Sequence, residues 1–158
     1  MNRESTIDYS GRTVDLILLK TVLQPENKQV NPNVANQPMS VTGIEKLVQR
    51  YALLFLTELG SVMNSPNEGT EFLTSLSHGK IYDESSLSAA ATLANKTVYR
   101  QIVSEDAALE TRDDEALDNS SIHELKMDRA TASVSVTVKI TSVAGESFVY
   151  TTPIRMGV

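Results

Sequence analysis

The segment Thr131–Thr141, TASVSVTVKIT, constrains the fold more than any other part of the chain. Ala132, Val134, Val136, Val138 and Ile140 alternate with Ser133, Ser135, Thr137 and Lys139. Successive side chains of a strand point to opposite faces, so this is the pattern of a strand with one face buried. Ala144–Gly145–Glu146 marks a turn, and Ser147–Ile154 (SFVYTTPI) returns as a second strand. Pro153 has no N–H to give to a ladder, which assigns that end to an edge or a strand terminus. A hairpin alone is marginal in water, and its open edges pair with other strands unless they are protected. Lys139 is the only charge between Thr131 and Val143. Two arrangements follow. Either the hairpin pairs with the N-terminal strand inside one domain, or an edge stays open for strand addition by a partner.

Helical periodicity precedes this hairpin. Thr42 and Glu45 have the spacing of a capping box, and Ile44, Leu47, Val48, Tyr51, Ala52 and Phe55 then form one apolar helix face. Gly60 suits a left-handed stop, and residues 61–69 are rich in turn formers. A short helix is expected over Thr70–Leu76. A second long helix starts near Ser85 or Ser86, carries Leu87, Ala90, Ala91, Ala94, Val98 and Ile102 on one face, and runs to about Leu109. Ile122, Leu125 and Met127 suggest a further strand. The fold class is α+β: central helices packed on a small antiparallel sheet, with a C-terminal β-hairpin over 131–154.

The N-terminal part reads differently. Thr13–Leu23 (TVDLILLKTVL) is a strand by composition. It is followed by a stretch with Pro25, Pro32 and Pro38, read as an extended connector without an element of its own. Residues 1–39 are therefore expected to form a strand and extended arm lying on another subunit, and residues 40–158 a separate domain.

Composition narrows the chemistry. The 158 residues are 41% hydrophobic and 22% charged, the balance of a globular protein, and the sparse aromatics (5%) leave packing to aliphatic side chains. A net charge of −6 argues against general nucleic-acid binding, which needs a basic face. The acidic pairs and runs, Glu105–Asp106 and Asp113–Asp114–Glu115, read as solvated surface. With no cysteine, disulfides, thiolate metal sites and thiol nucleophiles are excluded. No signal peptide is visible, and the longest apolar stretch, Tyr51–Leu56, is too short to span a bilayer.

The segment Gly43–Phe72, GIEKLVQRYALLFLTELGSVMNSPNEGTEF, resembles the signature of the baseplate wedge subunits of contractile phage tails often labelled lysozyme-like. The matching residues are Leu54, Leu56, Thr57, Gly60, Ser61, Pro66, Gly69, Thr70 and Phe72. The order downstream, a second helix and then paired strands, also fits. One departure is that Val98–Tyr99–Arg100–Gln101 stands where the family shows Glu-Pro-Arg. The resemblance implies a structural virion protein of the tail baseplate, assembled in the host cytoplasm, six copies per tail, that initiates the sheath. Its partners would be the tail sheath protein and other wedge, hub or tube proteins, with no nucleic acid, membrane or cofactor. The hairpin would take strands from sheath subunits through Val134, Val136, Val138, Ile140, Phe148 and Tyr150. The motif loop, Thr57, Gly60, Ser61, Pro66, Gly69 and Thr70, would face the baseplate and tube. A Val136→Pro change is expected to block strand pairing while leaving the helical centre folded.

Enzymatic readings are weaker. A muramidase needs two facing carboxylates, one with a raised pKa, and the candidates Glu58, Glu68, Glu71 and Asp83 have no spacing that pairs them. His78 and His123 lack a second ligand at metal-site spacing, so no metal is expected. Arg50 and Arg100 are expected to make surface ion pairs, or to meet an acidic loop of a neighbour. A tail terminator, a tube-completion protein and a peptide-binding adaptor are the alternative non-enzymatic assignments.

Overall fold

The alternating segment forms β6 (Ser133–Ser142), the middle of three antiparallel strands between β5 (Leu117–Asp128) and β7 (Ser147–Arg155). The structure, a computed structural model, describes residues 15–16, 19–23, 28–32 and 40–156. Val134, Val136, Val138 and Ile140 point to one face of β6 and are buried, as are Phe148 and Tyr150 beside them on β7. Lys139 and Val149, on the opposite face, are exposed. The burial follows the period-two pattern except at Thr137, which is buried on the opposite face, and the class is the expected α+β.

Helices cover the apolar face. α1 (Gly43–Leu56) buries Leu47, Val48, Tyr51, Ala52 and Phe55, and α3 (Glu84–Leu109) buries Leu87, Ala91, Ala94, Val98 and Ile102. These side chains and the sheet form one core cluster, to which α2 (Phe72–Ser77) adds Phe72 and Leu76. The Tyr51 ring packs edge-on against Tyr150 at 6.0 Å between centroids, joining α1 to β7. Its hydroxyl donates to Asn95 Oδ1 on α3, which also accepts from Ser120 Oγ on β5 at 2.8 Å. Burial pushes the pKa of both Tyr51 and Tyr150 well above the usual phenol value.

The ends of the helices differ from expectation at one point. α3 is closed by a capping box in which Asp83 accepts from the Ser86 amide at 2.7 Å and Ser86 Oγ accepts from the Asp83 amide at 3.0 Å. At α1 the Thr42–Glu45 box is not made, since Thr42 contributes no side-chain cap bond. Glu115 does that work from across the fold. Its Oε1 accepts from the Gly43 amide at 3.3 Å and its Oε2 from Lys46 Nζ at 2.9 Å. A carboxylate at a helix N-terminus is favoured by the helix dipole, and Gly43, with φ of +64°, lets the chain enter at this angle.

Beyond β7 the sheet continues into the N-terminal region. β2 (Leu19–Leu23) and β3 (Lys28–Pro32) form an antiparallel pair of five residue pairs. β3 then runs parallel to β7 at Lys28↔Tyr150 and Gln29↔Thr151, giving the order β2-β3-β7-β6-β5. β1 (Asp15–Leu16) pairs separately with β4 (Ser40–Val41). Of the strand expected over Thr13–Leu23, residues 15–16 and 19–23 are in strands, and Thr13, Val14, Ile17 and Leu18 lie outside the described residues. One expectation is corrected. The stretch read as a connector contains β3, because the four residues Lys28–Asn31 carry their amides and Pro32 falls at the strand's last position. Pro25 and Pro38 lie outside the described residues.

Candidate functional site

Backbone polarity decides which parts of the sheet remain available to a partner. In the β6–β7 hairpin, Ser142 N donates to Glu146 O at 2.8 Å, and at the other end Met156 N donates to Ala132 O at 2.8 Å. Antiparallel pairs alternate between hydrogen-bonded and non-hydrogen-bonded, so the two anchors fix the alternation between them. Ile140↔Phe148, Val138↔Tyr150, Val136↔Thr152 and Val134↔Ile154 are the hydrogen-bonded pairs. Ser147, Val149, Thr151 and Arg155 therefore aim their N–H and C=O groups away from β6, along the outer edge of β7. Pro153 occupies the same outward set opposite Ser135, and its missing donor costs the hairpin nothing.

The opposite edge, on β5, is differently built. The same alternation turns the polar groups of Ser120, Ile122, Leu125 and Met127 outward. Two register shifts, at Leu117/Asn119 and Ile122/Glu124, bend that strand. Asn95 Nδ2 on α3 donates to Ser120 O at 3.2 Å, and Asp106 Oδ2 accepts from Leu117 N at 2.9 Å. Glu124, Lys126 and Asp128 place charges on the same strand. Bulges, charges and helix cover are the devices by which an edge is protected from pairing. β7 carries no register shift against β6, and only the two β3 residue pairs meet it among the described residues.

The six side chains expected to carry the partner contact, Val134, Val136, Val138, Ile140, Phe148 and Tyr150, are all within the chain's own core. Sequence periodicity located them on one face, but that face is the one under α1 and α3. Any contact made by the hairpin in its present form uses the backbone edge and the outward side chains. Val136 sits at the centre of this core, in hydrogen-bonded register with Thr152, so a proline there bears on the packing beneath the helices as well as on the ladder.

The motif loop is a closed device. Thr57 O accepts from Thr70 N at 2.8 Å, Leu59 N donates to Thr70 O at 3.0 Å, and Thr70 Oγ1 donates to Phe55 O at 2.9 Å. These bonds join Phe55, Thr57, Leu59 and Thr70 into a neck. Gly69, with φ of +95°, lies so close to Thr57 that an added Cβ would stand 2.4 Å from its carbonyl oxygen. Gln101 on α3 clamps the chain next to the neck, accepting from Gly69 N at 3.3 Å and donating to Asn67 O at 2.8 Å and Gly69 O at 3.1 Å. Gly60, Ser61 and Pro66 lie on the exposed part of the loop, with Met63 at its tip. Gln101 escaped the sequence reading because a clamp between residues 32 apart leaves no local spacing signal.

Charged groups thought to be solvated are drawn inward. Arg50 Nη1 bonds Asp106 Oδ1 at 2.7 Å, and its Nη2 reaches Glu105 Oε2 at 3.0 Å and Ile102 O at 3.2 Å. Glu115 is 4% exposed. Glu105, Asp106 and Glu115 are thus ion-pair partners of α1 within the same chain, where a solvated surface was expected, while Asp113 is exposed as expected and Asp114 pairs with Arg112. Arg100 is exposed.

Of the carboxylates considered for hydrolysis, Glu58 lies on the chain segment bridged to Thr70, next to Glu71 in sequence. Glu58 and Glu71 are exposed, and Glu71 lines an apolar groove of about 280 Å³ with Leu59, Phe72, Ala90, Leu93 and Thr97. Asp83 lines a different groove, beside Arg129, and its pKa is lowered by the hydrogen bonds from Ser86. His78 Nδ1 lies 2.7 Å from Thr74 O, and His123 is exposed. Among the described residues no group of three or more His, Asp or Glu is placed to hold a metal ion, and no helix is long and apolar enough to cross a membrane. No protein-family model matches the chain, and neither a curated protein nor a solved structure matches it.

Proposed function

We propose that this chain is a non-enzymatic assembly subunit that docks a partner by strand addition at the outer edge of β7. The observation that carries the reading is the contrast between the two hairpin-side edges. β5 is bulged, charged and tied to α3, whereas β7 turns the backbone groups of Ser147, Val149 and Thr151 outward in unbroken register, towards the side where, among the described residues, β3 meets it at two pairs. A backbone hydrogen bond contributes about 0.5–1.5 kcal/mol net, so a ladder over this stretch supplies useful affinity without a side-chain pocket.

The partner class comes from the resemblance of Gly43–Phe72 to baseplate wedge subunits. In this proposal the partner is a tail sheath protein, the chain initiates the sheath within the virion baseplate, and the copy number of six follows the symmetry of such tails. Support within the chain is the clamped loop: Thr57 and Thr70, two of the resembling residues, are hydrogen-bonded in one neck, beside Gly69, a third, which Gln101 holds. A peptide-binding adaptor would share the β7 edge but has no need of that neck. Co-assembly of the purified chain with tail sheath protein tests the proposal, with Val149→Pro as the variant that removes an outward donor.

A further inference from the structure

The β7 edge is not bare: the chain's own β3 lies along part of it. Among the described residues β3 meets β7 at two residue pairs, Lys28↔Tyr150 and Gln29↔Thr151, and β2 at five. The reason the β7 ladder stops there is visible in the sequence. The next outward-facing position after Thr151 is Pro153, which has no N–H to extend a parallel ladder. Upstream, Lys28 reaches the Val149 carbonyl through the parallel register, and among the described residues β3 extends no further, to Ser147 or the Val149 N–H. Within the described residues the β2–β3 pair thus holds itself together more extensively than it holds the sheet.

We propose that β3 is an exchangeable guard strand: it covers the β7 edge in the free chain and leaves, with β2, when a partner strand pairs along Ser147–Thr151. This rests on the strand-addition reading above and adds the state of the edge before the partner arrives. A guard attached at two pairs shields the edge from adventitious pairing. It also yields to a strand that uses the N–H and C=O of Ser147, Val149 and Thr151 together.

The chain has no cysteine, so Gln29→Cys with Thr151→Cys introduces a single, reversible disulfide across the register pair. Amide hydrogen exchange is read residue by residue in the reduced and oxidised full chain. In the reduced form the residue 151 amide, which faces β3, is expected to exchange about a hundredfold faster than those of Tyr150 and Thr152, which face β6. Oxidation is expected to slow it to their level. Equal protection of residues 150, 151 and 152 in the reduced chain overturns the guard, as does fast exchange at 151 in both forms. Purified sheath protein is then added. Binding by the reduced form and not the oxidised one supports the guard, and equal binding by both overturns it while strand addition stands. If neither form binds, and the unsubstituted chain also fails, the sheath reading falls and amide exchange alone decides the guard.

Discussion

Val149 on β7 stands opposite Lys139 on β6 in a non-hydrogen-bonded pair, with its own N–H and C=O turned away from the hairpin. Both side chains lie on the face not covered by helices, and both are exposed. This relationship separates the stability of the hairpin from its capacity to accept another strand. Two pairs further on, Pro153 already occupies the same kind of position.

Proline substitutions should therefore split by position. Val149→Pro removes a donor that the β6–β7 ladder does not use, and is expected to cost about 1 kcal/mol or less of folding stability. Val136→Pro breaks the central ladder beneath α1 and removes a buried side chain, at a cost of about 3 kcal/mol or more. Urea denaturation of the two variants checks this ordering. Comparable losses in both would show that the assigned alternation of the ladder is wrong.

Gly69→Ala should be far more damaging than Gly79→Ala, although both glycines have positive φ. A left-handed alanine costs about 1–2 kcal/mol, which is the whole expected effect at Gly79, where an added Cβ meets nothing within 4 Å. At Gly69 the same Cβ collides with the Thr57 carbonyl, raising the expected loss to about 3 kcal/mol or more. Thermal melts of the two variants measure the difference.

Glu115→Ala is expected to destabilise the chain by about 2–4 kcal/mol, because it removes a buried carboxylate that serves both the Gly43 amide and Lys46. Glu124→Ala, which removes an exposed partner of Lys126, should change stability by no more than about 0.5 kcal/mol. Similar effects from the two would contradict the role given to Glu115.

Acid should loosen two turns. Hydrogen bonds from Ser86 lower the pKa of Asp83, and those from Thr131 and Ala130 lower that of Asp128. A carboxyl whose folded pKa lies below its unfolded value of about 3.9 adds stability above that value. The contribution is lost as pH falls through the folded pKa. Asp83→Asn with Asp128→Asn is expected to flatten the fall in stability below about pH 4. An unchanged acid limb in the double variant would contradict both assignments.

The sheet and helices were legible because each has a one-dimensional period. Val134 to Ile140 alternates at two, and Leu47 to Phe55 recurs at helical spacing, so their burial follows from local order alone. What was hidden is long-range. Glu115 reaches Gly43 across 72 positions, and Arg50 reaches Asp106 across 56. A charge run looks the same whether water or an arginine faces it. The core face of the hairpin was correctly identified, but its availability to a partner was not: Phe148 and Tyr150 are apolar in either case, and only the helices above them show which.

The most direct measurement is the affinity of purified tail sheath protein for the unsubstituted chain and for Val149→Pro, with matched stability confirmed first. Strand addition at β7 requires the proline to weaken binding at least about tenfold, one outward hydrogen bond and its flanking register being lost. Equal binding by the two chains, or no binding by either, would contradict the account.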